Sequence, residues 1–490
     1  MNLLDRFIEF VSPELAFKRE QFRSATTMLR GFEGASRGTR RTKNWKTGPG
    51  SANTEASYSL GTLRDRSRDL ERNNPYAKRS IKVIANNVVG WGIKPTVSDP
   101  RIQDLFDTWA NKKKNCDFNG RLNFYGIQKQ IIKSVVRDGE VLVRKRRSKN
   151  GSGVPIQLQV CEAEFIDTSR SMMPIGDGQD FIIQGVQFSA DGKRKGYWMY
   201  NRHPSDGYNY TSSFVPESDV LHIYVEDRPG QVRGIPHFAA VILRLRDFDE
   251  YEDATLTRQK IAACFTVFVT DPVGNIVAPN QDDDDLPDRV GPGMIYKGKP
   301  GQTATFGNPP AADGFSDYSK TTLRGIAAGA GVTYEAMTGD LSNVNFSSGR
   351  MGWLEFSRDV EDLQWQLMIP MFCEDVFDWF VDAAAIAFGR QINTDATCAW
   401  TPPARQMIDP VKETKGMMSQ IRNGLISWQE AVRTMGYDPK EVVKEMKQDM
   451  EMWDEAGLKL DCDVRLDAPE GMYMPDTSDD DEKTQSAKSE

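Results

Sequence analysis

Between Leu60 and Asp138 the apolar positions recur mainly at helical spacing, and Ala77, Ile81, Ile84, Ala85 and Val88 mark one helix face. A charged helix is expected to end at Asn73-Asn74. Pro75 suits the first position of the next helix, where an N–H is not needed, and Asn74 is its natural N-cap. Gly90 and Gly92 predict its end, with Ile93-Lys94-Pro95 leaving extended. Further helices are expected over Asp104 to Trp109 and Phe124 to Val136, the second closed by Asp138-Gly139.

The period then shortens. Strands are expected over Glu140 to Arg147, Ile156 to Val160 and Val220 to Val225. Phe181 to Phe188 reads as one strand pairing across the Asp191-Gly192 turn with Gly196 to Tyr200. After Pro236 the helical period returns, with Val241, Leu245, Phe248 and Tyr251 as one stripe and Arg and acidic residues dense on the other side. A helix over this whole segment, to Phe265, would run about 40 Å. Asp271 to about Phe315 is rich in Gly, Pro and Asp, with Gly293 to Tyr296 as a strand candidate, and Tyr318 to Ala328 reads as a second helix.

Asp340 to Ser348 is a polar loop around Val344 and Phe346, leading into a long helix from Gly349 to Phe380 with Ser347 or Ser348 as its N-cap. Met351, Leu354, Val360, Leu363 and Leu367 form the expected stripe, Phe356 lies off it, and Pro370 predicts a kink. Three helices close the pattern: Lys412 to Asn423, Ser427 to Thr434, opened by the capping box Ser427-Trp-Gln-Glu430, and Pro439 to Met452. The fold class is α+β.

At 490 residues the chain exceeds one compact core, which favours two or three domains or an extended protomer. No apolar run is long enough for a membrane-spanning helix, and MNLLDRFIEF carries acids and no cleavage site, so a cytosolic product without membrane partners is expected. The six cysteines form no C-x-x-C pair and have no histidine nearby, which argues against a disulfide framework or a zinc site. Net charge is −8, with basic residues gathered from Arg30 to Lys46 and an acidic, disorder-prone tail from Asp476 to Glu490. An acidic total does not suit a protein that grips duplex DNA, since that affinity comes largely from contacts with phosphates.

No catalytic constellation emerges, and no enzyme activity, cofactor or metal is expected. Gly293 to Lys299 has the glycine and lysine spacing of a P-loop, but Pro300 stands where Ser or Thr must hold magnesium. His203, His222 and His237 form no metal motif, and His222, in the strand VLHIYVED, reads as a structural histidine. Gly34-Ala-Ser36-Arg-Gly38 matches a nucleophile elbow only on paper, since no strand and helix flank it. The run Asp282-Asp283-Asp284-Asp285 lacks the spacing of a calcium loop.

Residues Arg64 to Pro95 carry "R-S-R-D-L-x-R-N-N-P-Y-A" followed by "N-N-V-V-G-x-G-I-x-P". Arg137-Asp-Gly-Glu140, Pro229 to Gly234, Gly331 to Asp340 and Trp400-Thr-Pro-Pro403 follow in order. This set resembles the lambda-like family of tailed-bacteriophage portal proteins over about Ala35 to Asp449. The resemblance implies a portal fold: a basic N-terminal arm (1–55), an α/β wing (56–235), a stem helix (236–268), a small α/β clip (269–316), and a second stem helix with its connection (317–339). A tunnel loop (340–349), a long kinked helix returning to the wing (350–404), a helical crown (405–460) and an acidic tail (461–490) follow. It also implies a cyclic ring, expected to hold twelve chains, assembled in the host bacterial cytoplasm and placed at one capsid vertex of the virion.

Partners implied are double-stranded DNA in the channel, the terminase large subunit, major capsid and scaffold proteins, and neck or head-completion proteins. The channel loop would be Leu341, Ser342, Asn343, Val344, Asn345, Phe346, Ser347 and Ser348. Arg244, Arg246, Asp247, Asp249 and Glu250 would pair between protomers along the stem, and Asp282, Asp283, Asp284 and Asp285 would form a terminase-facing clip rim. Two other classes remain open from the sequence: a non-viral scaffold or adaptor of low oligomeric order, and a soluble nucleic-acid enzyme.

Overall fold

In the computed structural model the chain divides into one unit of residues 1–55 and another of residues 56–490. The structure describes residues 48–148, 153–173, 178–207, 211–263, 267–270, 303–306, 314–342, 344–389, 392–404, 407 and 409–458. Residues 1–47 of the basic arm, most of the expected clip, Asn343 and the acidic tail therefore lie outside the described residues, as do the P-loop and nucleophile-elbow lookalikes.

In the larger unit α1 (Leu60–Asn73) and α2 (Pro75–Val89) lead through β1 (Lys94–Val97) to α3 (Pro100–Asn111) and α4 (Phe124–Asp138). Strands β2 (Glu140–Arg147), β3 (Ile156–Cys161), β4 (Phe181–Ile183), β5 (Val186–Phe188), β6 (Arg194–Tyr200), β7 (Ser212–Pro216) and β8 (Val220–Tyr224) follow. Helix α5 (Ile242–Ala263), strands β9 (Val267–Thr270) and β10 (Thr303–Phe306), and helices α6 (Phe315–Gly329), α7 (Tyr334–Thr338) and α8 (Phe346–Asp362) come next. Helix α8 passes through a π-helical stretch, Leu363–Cys373, into α9 (Glu374–Phe388). Strand β11 (Cys398–Thr401) and helices α10 (Pro410–Arg422), α11 (Trp428–Thr434) and α12 (Pro439–Ala456) complete the order.

Local chemistry explains the first helices. Asn74 Oδ1 accepts from the N–H groups of Tyr76 and Ala77, both at 3.0 Å, so one side chain supplies the missing acceptors at the start of α2. The expected face of α2 is buried from Ala77 through Val88, and Gly90 and Gly92 take the positive φ values of 52° and 129° that end the helix. At Gly92 a Cβ would stand 2.2 Å from the Tyr125 ring.

Strand β2 is buried on both faces from Glu140 to Val143 because it is the centre of an antiparallel sheet ordered β3-β2-β8. Val141 and Val143 enter the main core, and Leu142 enters a second core with Val186, Tyr197, Met199 and Val215 of a four-stranded meander, β4-β5-β6-β7. The expected single strand Phe181–Phe188 is corrected here. Gln184 (φ 47°) and Gly185 (φ 82°) both take left-handed backbone, so the segment folds on itself as a β4–β5 hairpin, with β5 pairing to β6.

The main core joins sequence-distant parts. Phe106 and Trp109 of α3, Phe124 of α4, Phe372 of the π stretch, Phe380 of α9 and Trp400 of β11 form one aromatic cluster, with Phe106 and Phe380 centroids 5.0 Å apart. Strand β11 pairs antiparallel with β1, so the Trp400-Thr-Pro-Pro segment, given no strand from its sequence, closes onto the first helices.

Two expectations for the long helix also change. Its N-cap is Asn345, not Ser347 or Ser348: Asn345 Oδ1 accepts from Ser348 N–H at 2.8 Å while Asn345 N–H donates to Ser348 Oγ at 3.2 Å. The buried face runs through Phe356 and Val360, whereas Met351 (70% exposed) and Leu354 face outward. At about 100° per residue, positions 351 and 354 lie opposite 356 and 360, so the stripe through 351, 354 and 360 mixed two faces, and Phe356, left off it, belongs to the buried one. Pro370 falls within the π-helical stretch, where the wider turn accommodates a residue that cannot donate a backbone hydrogen bond.

Candidate functional site

Three of the signature blocks, Arg64 to Pro95, Arg137 to Glu140 and Pro229 to Gly234, meet in one buried ionic cluster. Glu140, at the start of β2, receives the Arg233 guanidinium in a fork (Nη2–Oε1 2.6 Å, Nε–Oε2 3.0 Å), Arg64 Nη2 at 2.9 Å, His222 Nε2 at 2.8 Å and the Gly234 N–H at 2.9 Å. Two residues back, Asp138 binds Arg68 Nε at 2.7 Å and Arg137 Nη2 at 2.6 Å, while Arg68 and Arg137 reach Glu164 and Glu71. Glu140, Asp138, Arg233, Arg64 and His222 are all buried.

Burial alone would raise the Glu140 carboxyl, but Arg233, His222 and Arg64 together hold it well below the usual carboxylate range. His222 is pulled down to about 4, first by burial and against the pull of Glu140, so it is neutral at neutral pH and serves as a hydrogen-bond donor. This is the structural role its strand position predicted.

Two glycines let the blocks close. Gly139 (φ 88°) ends α4, and a Cβ there would lie 2.4 Å from the Ile235 carbonyl carbon; at Gly234 a Cβ would lie 2.1 Å from Gly139 O. The Arg137-Asp-Gly-Glu140 and Arg233-Gly234 segments are thus packed backbone to backbone. From this point Pro236 and a 3₁₀ turn, His237–Ala240, lead into α5, so the cluster sets the direction in which that helix leaves the sheet.

Val241, in the turn before α5, and Leu245 and Phe248 of α5, a helix of 22 residues and about 33 Å, are buried as expected, with Tyr251 half-buried. The partner of α5 is α6. Cβ atoms at Gly325 and Gly329 would lie 2.7 Å from Arg244 Nη1 and 2.4 Å from Val241 Cγ1, so the two glycines, one helical turn apart, admit α5 at close range. Further along, Tyr251 lies 5.8 Å from Phe315 and 4.5 Å from Tyr318 between ring centroids. Strands β9 and β10 pair antiparallel and bracket the Asp282–Asp285 run, which lies outside the described residues.

Of the five charged residues singled out on α5, Arg246 and Glu250 pair with each other within the helix at 2.9 Å, both largely exposed. Asp249 Oδ1 accepts from Asn74 Nδ2 at 2.8 Å, tying α5 to the α1–α2 junction. Arg244 lies on Gly325, and Asp247 is exposed.

The loop before α8 is pinned at both ends. Thr333 Oγ1 caps α7 through Ala336 N–H at 3.1 Å, and Gly339 (φ 79°) ends it. Asp340 Oδ1 then accepts from Ser342 N–H at 3.0 Å and Ser342 Oγ at 2.6 Å, and these bonds lower its carboxyl from the ordinary value. The Asn345–Ser348 capping box fixes the far end. Between them Leu341 is 68% exposed, Ser342, Asn345, Ser347 and Ser348 are exposed, and Val344 is half-buried; Asn343 and the side chain of Phe346 lie outside the described residues. Asn345 and Ser348 are occupied by each other, which leaves Ser347 as the outward-facing hydroxyl.

Among the described residues one group, Glu162, Glu164 and His203, has donor atoms within 4.8 Å of one another. Arg64 and Arg68 bind Glu164, and Arg68 and Arg137 approach Glu162 at 3.6 and 3.5 Å, so the carboxylates already neutralise guanidinium charge that would repel a metal cation. Cys116, Cys161, Cys373 and Cys398 are free thiols, and burial pushes Cys116, Cys161 and Cys398 up to about 12.

Sequence reasoning quoted these blocks without seeing that they converge. The available signal was a glutamate directly before the apolar Val141-Leu142-Val143, together with arginines at 64 and 68, one helical turn apart.

Comparison with known proteins places these features in a family. The chain is 26% identical over 496 aligned residues to the probable portal protein of Halomonas phage phiHAP-1, covering 94% of each. It is 21% identical to portal protein B of Escherichia phage lambda, covering 85% of this chain and 88% of that one. A chain in the virion of a native gene transfer agent particle overlays with a TM-score of 0.47 at 16% identity, covering 78% of this chain and 94% of its own. The family model described as "Phage portal protein, lambda family" matches residues 38–364, a span that contains the ionic cluster, α5, α6 and the pinned loop: the chain belongs to the lambda family of phage portal proteins.

Proposed function

We propose that this portal protein forms a cyclic ring of twelve chains at one capsid vertex, assembled in the host bacterial cytoplasm. The terminase large subunit drives double-stranded DNA through the ring, and neck or head-completion proteins later attach there. The observation that carries the channel reading is the stretch of residues 341–348, a loop running into the first turn of α8: Leu341, Ser342, Asn345, Ser347 and Ser348 are exposed, yet the stretch is pinned by the Asp340 turn and the Asn345–Ser348 box. Its side chains bear no fixed charge, so a phosphate backbone would meet polar and apolar surface and slide instead of sticking.

In this reading residues 56–235 with 350–404 are the wing, α5 and α6 the stem, the segment bracketed by β9 and β10 the clip, and α10 to α12 the crown that faces the capsid interior. The Asp282–Asp285 run would form the clip rim toward terminase. On the stem, Arg244 and Asp247 are the better candidates for pairing across protomers in a closed ring, because Arg246, Asp249 and Glu250 already have partners within the chain. Major capsid and scaffold proteins would meet the wing.

Deleting residues 342–347 is the test. Rings should still form, as seen in electron micrographs, while particles assembled with this variant should package or retain less DNA than wild type. Normal genome content in such particles would sink the channel assignment.

A further inference from the structure

Strand β2 leaves the core as Arg144-Lys145-Arg146-Arg147, and a short helix, Lys113–Cys116, lies beside its partner β3. The attachment is firm. Gln157 Nε2 donates to Lys114 O at 2.8 Å, Phe118 N–H donates to Leu158 O at 2.9 Å, and the Asp117 carboxylate accepts from the N–H groups of Asn119, Arg121 and Leu122 at 2.7 to 3.1 Å. Residues 112–121 are therefore fixed to the sheet edge.

Arg146 stands opposite Gln157 in the β2–β3 register, is oriented by Gln159 Oε1 at 2.7 Å, and carries its guanidinium 5.4 Å from the centroid of the Phe118 ring. Phe118 is 48% exposed, and Lys112, Lys113, Lys114 and Arg121 of the same fixed segment are exposed. Among the described residues none of these five cations forms an ion pair, whereas Arg64, Arg68, Arg137 and Arg233 of the same unit are all matched to carboxylates. In a chain of net charge −8, this is unmatched positive charge on a rigid backbone.

We propose that this edge contacts duplex DNA through its phosphates, separately from the channel loop and without reading sequence. Three successive lysines and one arginine seated over an aromatic ring suit phosphate oxygens. An acidic polypeptide partner would need apolar anchoring besides charge, and the apolar ring here is already under Arg146. The proposal rests on the portal reading for the presence of DNA.

Anisotropy of a short labelled duplex, titrated with the full-length protein between about 50 and about 200 mM salt, tests it. Each phosphate contact contributes about 0.9 to the slope of log K against log salt, so replacing Lys112, Lys113 and Lys114 by Gln should cut the slope by about 2.7, an affinity loss about 40-fold smaller across that range. Lys113→Gln alone, a milder change, should cut it by about 0.9. Circular dichroism confirms that both variants fold.

An unchanged slope in the folded variants overturns the proposal. So does an unchanged DNA slope accompanied by lost binding to a polyglutamate peptide, which would assign the edge to an acidic polypeptide. Micrographs of the same samples separate the two readings: rings with an unchanged slope overturn this surface alone, and a reduced slope without rings overturns the ring reading alone.

Discussion

Glu140 receives two guanidinium groups, an imidazole N–H and a backbone N–H, with no solvent to take their place. Removing its charge leaves Arg233 buried without a carboxylate and Arg64 with Glu164 alone, so Glu140→Gln should destabilise the protein by about 3–5 kcal/mol in a denaturant titration. Arg233→Met should cost a comparable amount. His222 gives the cluster a pH signature. Its folded value is near 4 and its unfolded value near 6.5, so between those values the unfolded chain binds a proton that the folded chain does not. Stability is then fully present above about pH 6.5 and falls on acidification toward pH 4. His222→Gln should flatten that part of a thermal-melt series against pH; an unaltered slope would mean His222 is charged in the folded state. Glu140 acts in the same direction at lower pH, because its depressed folded value makes its contribution fade as acid protonates it.

Among the elements, the α5–α6 pair depends on two residues without side chains. Gly329→Ala would place a methyl carbon 2.4 Å from Val241 Cγ1, so it should lower the melting temperature, and Val241→Ala in the same chain should recover part of the loss. Equal losses in the single and double variants would show that the helices do not meet there. Arg246→Glu is a milder case. Its intrahelical pair with Glu250 is exposed and contributes little to stability, so any loss of ring assembly in this variant would point to a contact across protomers. The elements were legible wherever periodicity and capping agreed: Asn74-Pro75 fixed the α1–α2 junction, and Val241, Leu245 and Phe248 fixed the buried side of α5. They were misread where a local backbone choice overrode the pattern. Gln184 in left-handed geometry turned an eight-residue strand into a hairpin, and Phe356 showed that a stripe through Met351 and Leu354 followed the wrong face. Ser347 and Ser348 looked like caps, but Asn345 holds that position and uses Ser348 as its partner.

At the scale of the whole molecule, the ordered blocks identified the family, yet their purpose lay in contacts across about 70 to 100 residues of chain that no local pattern encodes: Arg64 with Glu140, Arg68 with Glu164, Glu140 with Arg233. The closure of β11 onto β1, roughly 300 residues apart, was hidden for the same reason. The protomer described here is a sheet and helix body from which a close-packed helix pair departs at an ionic cluster, with a pinned, uncharged loop at the head of its longest helix. The proposed function gives such a chain its purpose in a closed ring. Native mass and electron-microscope class averages of the purified chain test this most directly: the account predicts rings of twelve 55.2 kDa chains with a central hole, and a monomer at every salt concentration would contradict it.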